Sequence, residues 1–592
     1  MKLYGKTVFT YSVMCSRDVL MFAMMNTETN GIRHYDISML SGKDSFKKII
    51  SSLMCKDVCW CTYNGRYHDE TILNYCIINY KTLSQKSNSD IAWLMNNFCG
   101  TIHTAPVDEW KVYKHAHKFQ SFDLSVLFNN KMGIIDFEQA KMQLRYPDIK
   151  PRVIDKTLST GSRRQTMNEM TTKKVREYAR ILDDKMSEVL FREFLWDEYN
   201  INAANSNISS IGLKLLDKYY SAESGRPVGA VDNKYNSVSF KELIPEGYAF
   251  NTDKYNAYLD EVKKIVITAD NSVIDLPLPD YSATLTMGGL KGMSREGVFR
   301  KGDKHIYHVD IKSSWPSALV NFKIVPEGLD VESFVYAIKQ MVELKETTRY
   351  RDCFKRAVNS VIGNFMAEDS PIHDYKAFLK IKLMASLETI SLIETLGGIE
   401  VLQINNDGIV FMSDTPMVQM RHIVSGWCDE HKLKATFKEY DIFAQHTIND
   451  WFAYNGELVK KGLFASGSNK YPPAIVECVI DAIIDNLPLE RCMPMDDKTK
   501  YVFYERAGTG SELYTRDGDG PYIKTDNIVR YYVAKKGVGL YRKSSGSGAM
   551  RLVDNTVAMI DNDRVSDLSM IYYTAVAYAL YSQLTIVQQK LF

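Results

Sequence analysis

Two segments decide the reading of this chain: 304–322, KHIYHVDIKSSWPSALVNF, and 398–414, GIEVLQINNDGIVFMSD. The first reads as a short strand from Ile306 to Asp310, a turn, and a helix after Pro316. The second sets Asn-Asp-Gly between two apolar runs, EVLQI and IVFM, the strongest short signal for a β-hairpin because such turns favour positive φ. Asp310 therefore ends one strand, and Asp407 sits at the turn joining two others. Singly, each has a plain structural use: Asp407 as a turn residue, Asp310 as a helix cap.

Between them, segment 349–365, RYRDCFKRAVNSVIGNF, reads as a helix in which Arg351, Lys355 and Asn359 recur every four residues and share one face, with Gly363 next in the row. Across 339–356, Lys339, Lys345, Arg349, Arg351, Lys355 and Arg356 outnumber Glu343, Glu346 and Asp352. Such a stripe is often no more than a solvated helix face. Beside two carboxylates it has a chemical use: cations hold a triphosphate while carboxylates hold the metal ions that bridge it.

The rest of the chain sets bounds on this reading. Its 592 residues are enough for several cores, and 45 % apolar with 24 % charged residues is ordinary soluble-protein composition. No run approaches the roughly 18 apolar residues of a membrane span, and VLMFAMM (19–25) reads as a strand rather than a signal peptide. Basic and acidic residues number 73 and 72, so a globally basic nucleic-acid coat is excluded while a local basic groove is not. Ten cysteines without a framework suggest reduced thiols. Cys59 and Cys61 alternate along DVCWCTYN (57–64) and share one face, as buried thiols rather than a zinc site.

Residues 1–200 start with strand-like runs and end in an amphipathic helix over 171–199, with threonines at its start as caps, which makes an α/β domain. Residues 201–300 read as an irregular connecting region ending in TLTMGGLKGMS, where paired glycines allow close backbone approach. Strands and helices alternate from 300 to about 465. Helices follow over 473–486 and 570–584 with strands between, and Ser/Gly-rich spots fall at 221–227 and 543–550.

Taken in order, DIKSSWPS (310–317), KRAVNSVIG (355–363) and QINNDGI (403–409) resemble motifs A, B and C of family B DNA polymerases, the last being closest to a bacteriophage subgroup with N-T-D-G at that place. TMGGLKG (286–292) resembles the glycine motif between exonuclease and polymerase regions. INDWFAYNGELVKKGLF (448–464) resembles the segment whose lysine, here Lys461, contacts the primer terminus, and IVRYYVAKKGVGLYRK (528–543) resembles a thumb segment. The resemblance implies an α+β multidomain, right-hand polymerase with an antiparallel palm sheet, helical fingers and a thumb, behind an N-terminal RNase H-like α/β exonuclease-type domain. The implied spans are 1–200 for that domain, 201–300 for the connection and start of the palm, 301–330 for palm with motif A, 331–375 for fingers, 376–470 for palm with motif C, and 471–592 for the thumb.

The same resemblance implies roles. Asp310 and Asp407 are the catalytic pair and, with the Ile311 carbonyl, hold two Mg²⁺ ions, with Mn²⁺ as a substitute. Lys355, Asn359, Trp315, Ser313 and Ser314 face the incoming dNTP, with Lys345, Arg349 or Arg351 adding phosphate contact. Trp315 replaces a tyrosine that excludes the ribose 2′-hydroxyl, Ile362 replaces a tyrosine that packs on the nascent base pair, and Asn405 replaces the first acid of motif C. Gly288, Gly289, Lys461, Arg530 and Tyr531 are implied DNA contacts. Only 45 positions separate Asp310 from Lys355, which leaves no room for the insertion that supports strand displacement in protein-primed phage polymerases.

In the N-terminal region CTYNGRYHDETIL (61–73) resembles the second exonuclease motif, with Asn64 and Asp69 in place, and EYARILDDKMSEVLF (177–191) the third, offering Asp183 or Asp184 with Tyr178 slightly out of register. The first motif should carry D-x-E, but in TVFTYSVMC (7–15) Thr10 and Ser12 stand at the acidic positions. Neutral hydroxyls replace hard anionic ligands poorly, so the exonuclease is expected to be vestigial, with Asp18 as the nearest possible substitute. Implied partners are primer–template DNA and dNTPs, with a terminal protein or other replication proteins as further candidates, no membrane, a monomeric chain, and residence in the cytoplasm of an infected host cell. The competing readings are a catalytically silent, polymerase-derived DNA clamp and a 3′–5′ exonuclease.

Overall fold

The computed structural model describes residues 1–128, 135–146, 154–155, 157–268, 274–466, 470–544, 548–559 and 565–585. The chain divides into two compact units, Met1–Lys214 and Leu215–Phe592, with a mixed α+β architecture. Among the described residues no helix is long and apolar enough to cross a membrane.

The first unit is built on strands β1 (Lys2–Leu3), β2 (Lys6–Ser16), β3 (Val19–Asn26), β4 (Ile32–Ile37), β5 (Val58–Thr62) and β6 (Ser121–Asp123), ordered β4-β3-β2-β5-β6 with β1 beside β2. β2, β5 and β6 run parallel, while β3 is antiparallel to β2 and β4. Its helices include α1 (Asp69–Ile78), α2 (Asn88–Thr104), α3 (Thr160–Asp184) and α4 (Met186–Tyr199). Burial on both faces explains why 19–25 lacks the polar alternation of a surface strand. Leu20, Phe22 and Met24 enter a core with Trp60, Ile72 and Met95, whereas Met21 and Ala23 meet Met167 and Val175 of α3. Cys59 and Cys61 share a core on one side of β5 and Trp60 occupies the other. All ten cysteines are free thiols.

The helix expected over 171–199 is longer and broken. It begins at Thr160, capped by Ser159, whose side chain accepts from the Ser162 N–H, and it is interrupted at Lys185 before α4. Thr171 and Thr172 are internal; their hydroxyls donate to the carbonyls of Met167 and Asn168 one turn back, so they are bonded within the helix rather than capping it.

The second unit carries β7 (Asp275–Pro277), β8 (Ala283–Thr286), β9 (Gly289–Met293), β10 (Gly297–Arg300), β11 (His305–Ile311), β12 (Glu400–Asn405), β13 (Gly408–Ser413) and β14 (Ala435–Tyr440). Seven of them form a sheet ordered β7-β8-β9-β12-β13-β11-β14, with every pairing antiparallel. Residues 275–293, expected in an irregular connecting region, thus supply three strands of it. β10 joins a second sheet with β15 (Ile442–Thr447), β16 (Asp450–Tyr454) and β17 (Leu458–Lys461).

Four helices adjoin this sheet in sequence: α5 (Ser314–Asn321), α6 (Val331–Thr347), α7 (Arg351–Asn364) and α8 (Tyr375–Leu396). On α7, Phe354, Val358 and Val361 are buried while Arg351, Lys355, Asn359 and Gly363 form the exposed row that their spacing predicts. Toward the C-terminus, β18 (Phe503–Arg506), β19 (Ser511–Arg516), β20 (Ile523–Lys524), β21 (Ile528–Ser544) and β22 (Ala549–Met559) make an antiparallel sheet. The expected helices are present as α9 (Pro473–Asp485), with proline at its first position, and α10 (Met570–Thr585). The Ser/Gly-rich stretch 543–550 and the chain beyond 585 lie partly or wholly outside the described residues.

Candidate active site

Asp310 is the penultimate residue of β11, and Asp407 is the second residue of the two-residue loop closed by the Asn405–Gly408 pair between β12 and β13. Strand register brings them together. Asp310 pairs with Gly408 on one side and Thr436 on the other, and the Ile311 N–H donates to the Asp407 carbonyl over 2.6 Å. Burial, then the charge of Asp407, pushes the Asp310 carboxyl up to about 6, while Lys355, Lys461 and Lys345 pull the other way. Four of the residues expected at one site, Asp407, Lys345, Lys355 and Lys461, therefore act on the Asp310 carboxyl group.

The loop differs from expectation in one respect. No residue from Asn405 to Gly408 takes a positive φ. Gly408 is instead required by close approach: a Cβ there would lie 2.9 Å from the Val309 carbonyl oxygen and 3.3 Å from Asp310 Oδ1. Asn405, in place of an acid, accepts from the Asn406 N–H at 3.1 Å through Oδ1, so it organises the turn.

A second layer holds the turn from behind. Thr389 of α8 donates its hydroxyl to the Asn406 carbonyl at 3.2 Å. Gly289, at φ +100°, approaches so closely that a Cβ would stand 2.3 Å from Asn406 Oδ1. The neighbouring Gly288 carbonyl accepts from Lys382 Nζ at 3.2 Å, and the same ammonium lies 4.6 Å from the Trp315 ring centroid. Lys382 and Thr389 are absent from the sequence-derived site. Their signal is a polar line, Lys382, Ser386 and Thr389, at helical spacing on a helix whose residues are otherwise mostly buried and apolar.

The three bases that sequence leaves unranked separate in the structure. Lys345 is buried, donates to Ser313 Oγ at 2.6 Å and pairs with Glu346 at 3.0 Å. Arg349 folds onto its neighbour, with its guanidinium 4.9 Å from the Tyr350 ring and a 2.8 Å hydrogen bond to that hydroxyl. Arg351 stays on the exposed row with Lys355 and Asn359. Ser313 sits in the left-handed region at φ +53° as the residue before α5, and Ser314 is buried as its first residue. Lys461 closes β17 with its ammonium 5.8 Å from the Trp451 ring.

Other positions are not presented as expected. Ile362 is fully buried by the protein itself, so it offers no open surface to a base pair. Arg530 and Tyr531 lie inside the C-terminal sheet rather than on a surface open to DNA, because residues 528–534 of β21 are covered on both faces. Arg530 sits 5.4 Å from the Tyr504 ring, and Tyr531 stacks on Phe503 at 5.1 Å.

The donor set at Asp310 and Asp407 fits a hard divalent cation: two carboxylates whose mutual repulsion such an ion relieves, at a point where the Ile311 backbone also arrives. Among the described residues no group of three or more His, Cys, Asp or Glu side chains is placed to hold a metal ion. The side chains at this point that could hold one are the two carboxylates.

In the first unit the expected exonuclease residues do not assemble. Asp69 is buried with both oxygens bonded: the Val13 N–H and the Thr62 hydroxyl reach Oδ2 at 3.2 and 3.0 Å, and His68 Nδ1 donates to Oδ1 at 2.6 Å. Asn64 takes φ +56° and donates its N–H to Asp123 Oδ1 at 2.7 Å. Asp183 and Asp184 are on the exposed face of α3, Asp184 accepting from the Tyr146 hydroxyl at 2.7 Å, while Tyr178 is buried against Ser12, Thr62 and Asp69. Thr10 donates its hydroxyl to the Val175 carbonyl at 2.8 Å. Asp18 is bound by Arg163 and Thr160. Asp123, bonded to the N–H groups of Asn64 and Ser125 and to the Ser125 hydroxyl, is the buried acid that motif reading misses.

No protein-family model matches the chain, and no curated protein sequence does. Among solved structures, it is similar to the family B DNA polymerase from the hyperthermophilic archaeon Pyrobaculum calidifontis, over 98 % of this chain and 78 % of that one, with 10 % sequence identity and a TM-score of 0.41.

Proposed function

We propose that this chain is a template-directed DNA polymerase of the family B type, a nucleotidyltransferase that adds dNMP to a primer 3′-hydroxyl in bacteriophage DNA replication, with weak or absent proofreading. The observation that supports this best is the meeting of Asp310 and Asp407 at adjoining strand ends, with Lys345, Lys355 and Lys461 acting on the same carboxyl. Two Mg²⁺ ions held by Asp310, Asp407 and the Ile311 carbonyl would supply the Lewis acidity for the displacement.

The protein's own residues account for binding and orientation. Lys355 and Asn359 on the exposed row receive the triphosphate, with Arg351 beside them. Lys345 fixes Ser313 and so the turn that follows Asp310. Trp315, held by Lys382 against the glycine hairpin, takes the sugar side of the nucleotide. Lys461 receives the primer terminus. Backbone phosphates in such a groove make affinity fall with added salt although the whole chain is near neutral.

Primer extension with Mg²⁺ and dNTPs tests the reading, comparing wild type with Asp310→Ala and Asp407→Ala. Extension by wild type and loss in both variants is the expected result. No extension by a folded, DNA-binding wild type means that the chain is a silent clamp, and primer degradation without dNTPs means that it is a nuclease. Ribonucleotides offered separately report on Trp315.

A further inference from the structure

The first unit contains a line of reactive groups that the polymerase reading does not use. His68, just before α1, donates from Nδ1 to Asp69 at 2.6 Å, and its Nε2 lies 3.7 Å from Cys99 Sγ on α2. His103, one turn further along α2, sits with its ring 5.5 Å from that of His68. Cys15, near the end of β2, packs against the same core cluster that holds Cys99 and is only half-buried.

This order has chemical direction. A carboxylate on Nδ1 fixes the tautomer of the imidazole, so Nε2 faces the thiol as the atom that takes its proton. The Cys15 and His68 contacts hold the Cys99 thiol well below its usual range in spite of burial, with His103 adding to the effect. Cys15 is raised by the same contact with Cys99 and by burial, and Cys76 and Asp69 add to it. Cys99 is the sulfur that the imidazole faces and Cys15 is its neighbour, the division of labour of an attacking and a resolving thiol.

We propose that Cys99, backed by His68 and Asp69, is a hydroperoxide-oxidisable thiol and that Cys15 resolves it, closing a disulfide between α2 and β2. The Cys99 thiolate attacks the peroxide oxygen; an S–O bond forms, the O–O bond breaks, and the leaving oxygen takes the proton from His68. Cys15 then attacks the Cys99 sulfur, an S–S bond replaces S–O, and hydroxide leaves as water with the Cys15 proton. Two thiols lose two electrons and one hydroperoxide is reduced.

The test uses the full chain with the exposed Cys55 replaced by serine to lower background. Hydrogen peroxide is added at neutral pH, free thiols are counted, and peptides are mapped by mass spectrometry. Loss of two thiols with a Cys15–Cys99 cross-linked peptide is expected; Cys15→Ser leaves a Cys99 sulfenic acid that dimedone traps, and Cys99→Ser prevents both. Without any variant at the pair, iodoacetamide should label Cys99 at a rate nearly independent of pH between about 6 and 8, and His68→Asn should slow that labelling about tenfold at the lower end. Cys99 labelling that rises with pH like an ordinary thiol, or peroxide-treated protein with no Cys15–Cys99 peptide, overturns the proposal. Neither result depends on polymerase activity.

Discussion

The Ile311 N–H donates to the Asp407 carbonyl over 2.6 Å, one residue beyond the point where Asp310 faces Gly408. That bond ties the end of one strand to the loop between two others, so the two carboxylates share a place because their backbones do.

Gly408→Ala tests how tight this is. The added methyl meets the Val309 carbonyl at 2.9 Å and the Asp310 carboxylate at 3.3 Å, and backbone cannot yield as a flexible side chain can. The expected cost is about 1–3 kcal/mol of stability, read as a lowered Tm, with a larger proportional loss of extension. Unchanged Tm and unchanged extension would refute the close-approach account.

A pH series on Asp310→Asn reads the burial of charge directly. The folded carboxyl titrates near 6, above its unfolded value, so its contribution favours the folded state below about pH 4 and is lost as pH rises through 6. In chelator, Asp310→Asn should therefore raise Tm at pH 8, by an amount equivalent to roughly 2 kcal/mol, and give little or no gain at pH 4. Adding Mg²⁺ or Mn²⁺ at pH 8 should raise Tm of wild type and not of the variant.

The bases Lys355 and Arg349 are separable by kinetics. Lys355→Ala should lower kcat/KM for dNTP about 10- to 100-fold, the scale of a charge-assisted contact. Arg349→Ala, whose guanidinium is committed to Tyr350, should stay within about twofold at the same substrate. Equal losses in steady-state assays would mean that both reach the triphosphate.

A 3′-mismatched primer incubated with Mg²⁺ or Mn²⁺ and no dNTP should stay intact. Asp69→Ala should leave that result unchanged yet destabilise the first unit by about 1–3 kcal/mol, since it strands the Val13 N–H and the Thr62 hydroxyl. Efficient shortening that disappears in Asp69→Ala would establish an active exonuclease.

Much of this site is legible in the sequence, though not always for the stated reason. Asn-Asp-Gly marks the hairpin correctly, but its glycine answers to the Val309 carbonyl and not to a left-handed turn. The row Arg351, Lys355, Asn359 follows from helical spacing alone. What linear spacing cannot give is depth: Arg530 and Tyr531 read as contacts and are interior, because a strand covered on both faces looks the same as one that alternates outward. The support from Thr389 and Lys382 escapes motif reading because it comes from a helix whose chemistry-bearing residues are few among apolar ones. Likewise Asp69 fits a motif by order, while its hydrogen bonds show a carboxylate already fully engaged.

The pairing of Asp310 with Gly408 carries a further consequence. Successive side chains on a strand point to opposite sides, so sliding β11 past β13 by a single position would turn the carboxylate into the apolar layer and Val309 out toward the lysines. A one-residue insertion or deletion anywhere in 305–310 would therefore leave a protein of normal secondary-structure content that is chemically inert.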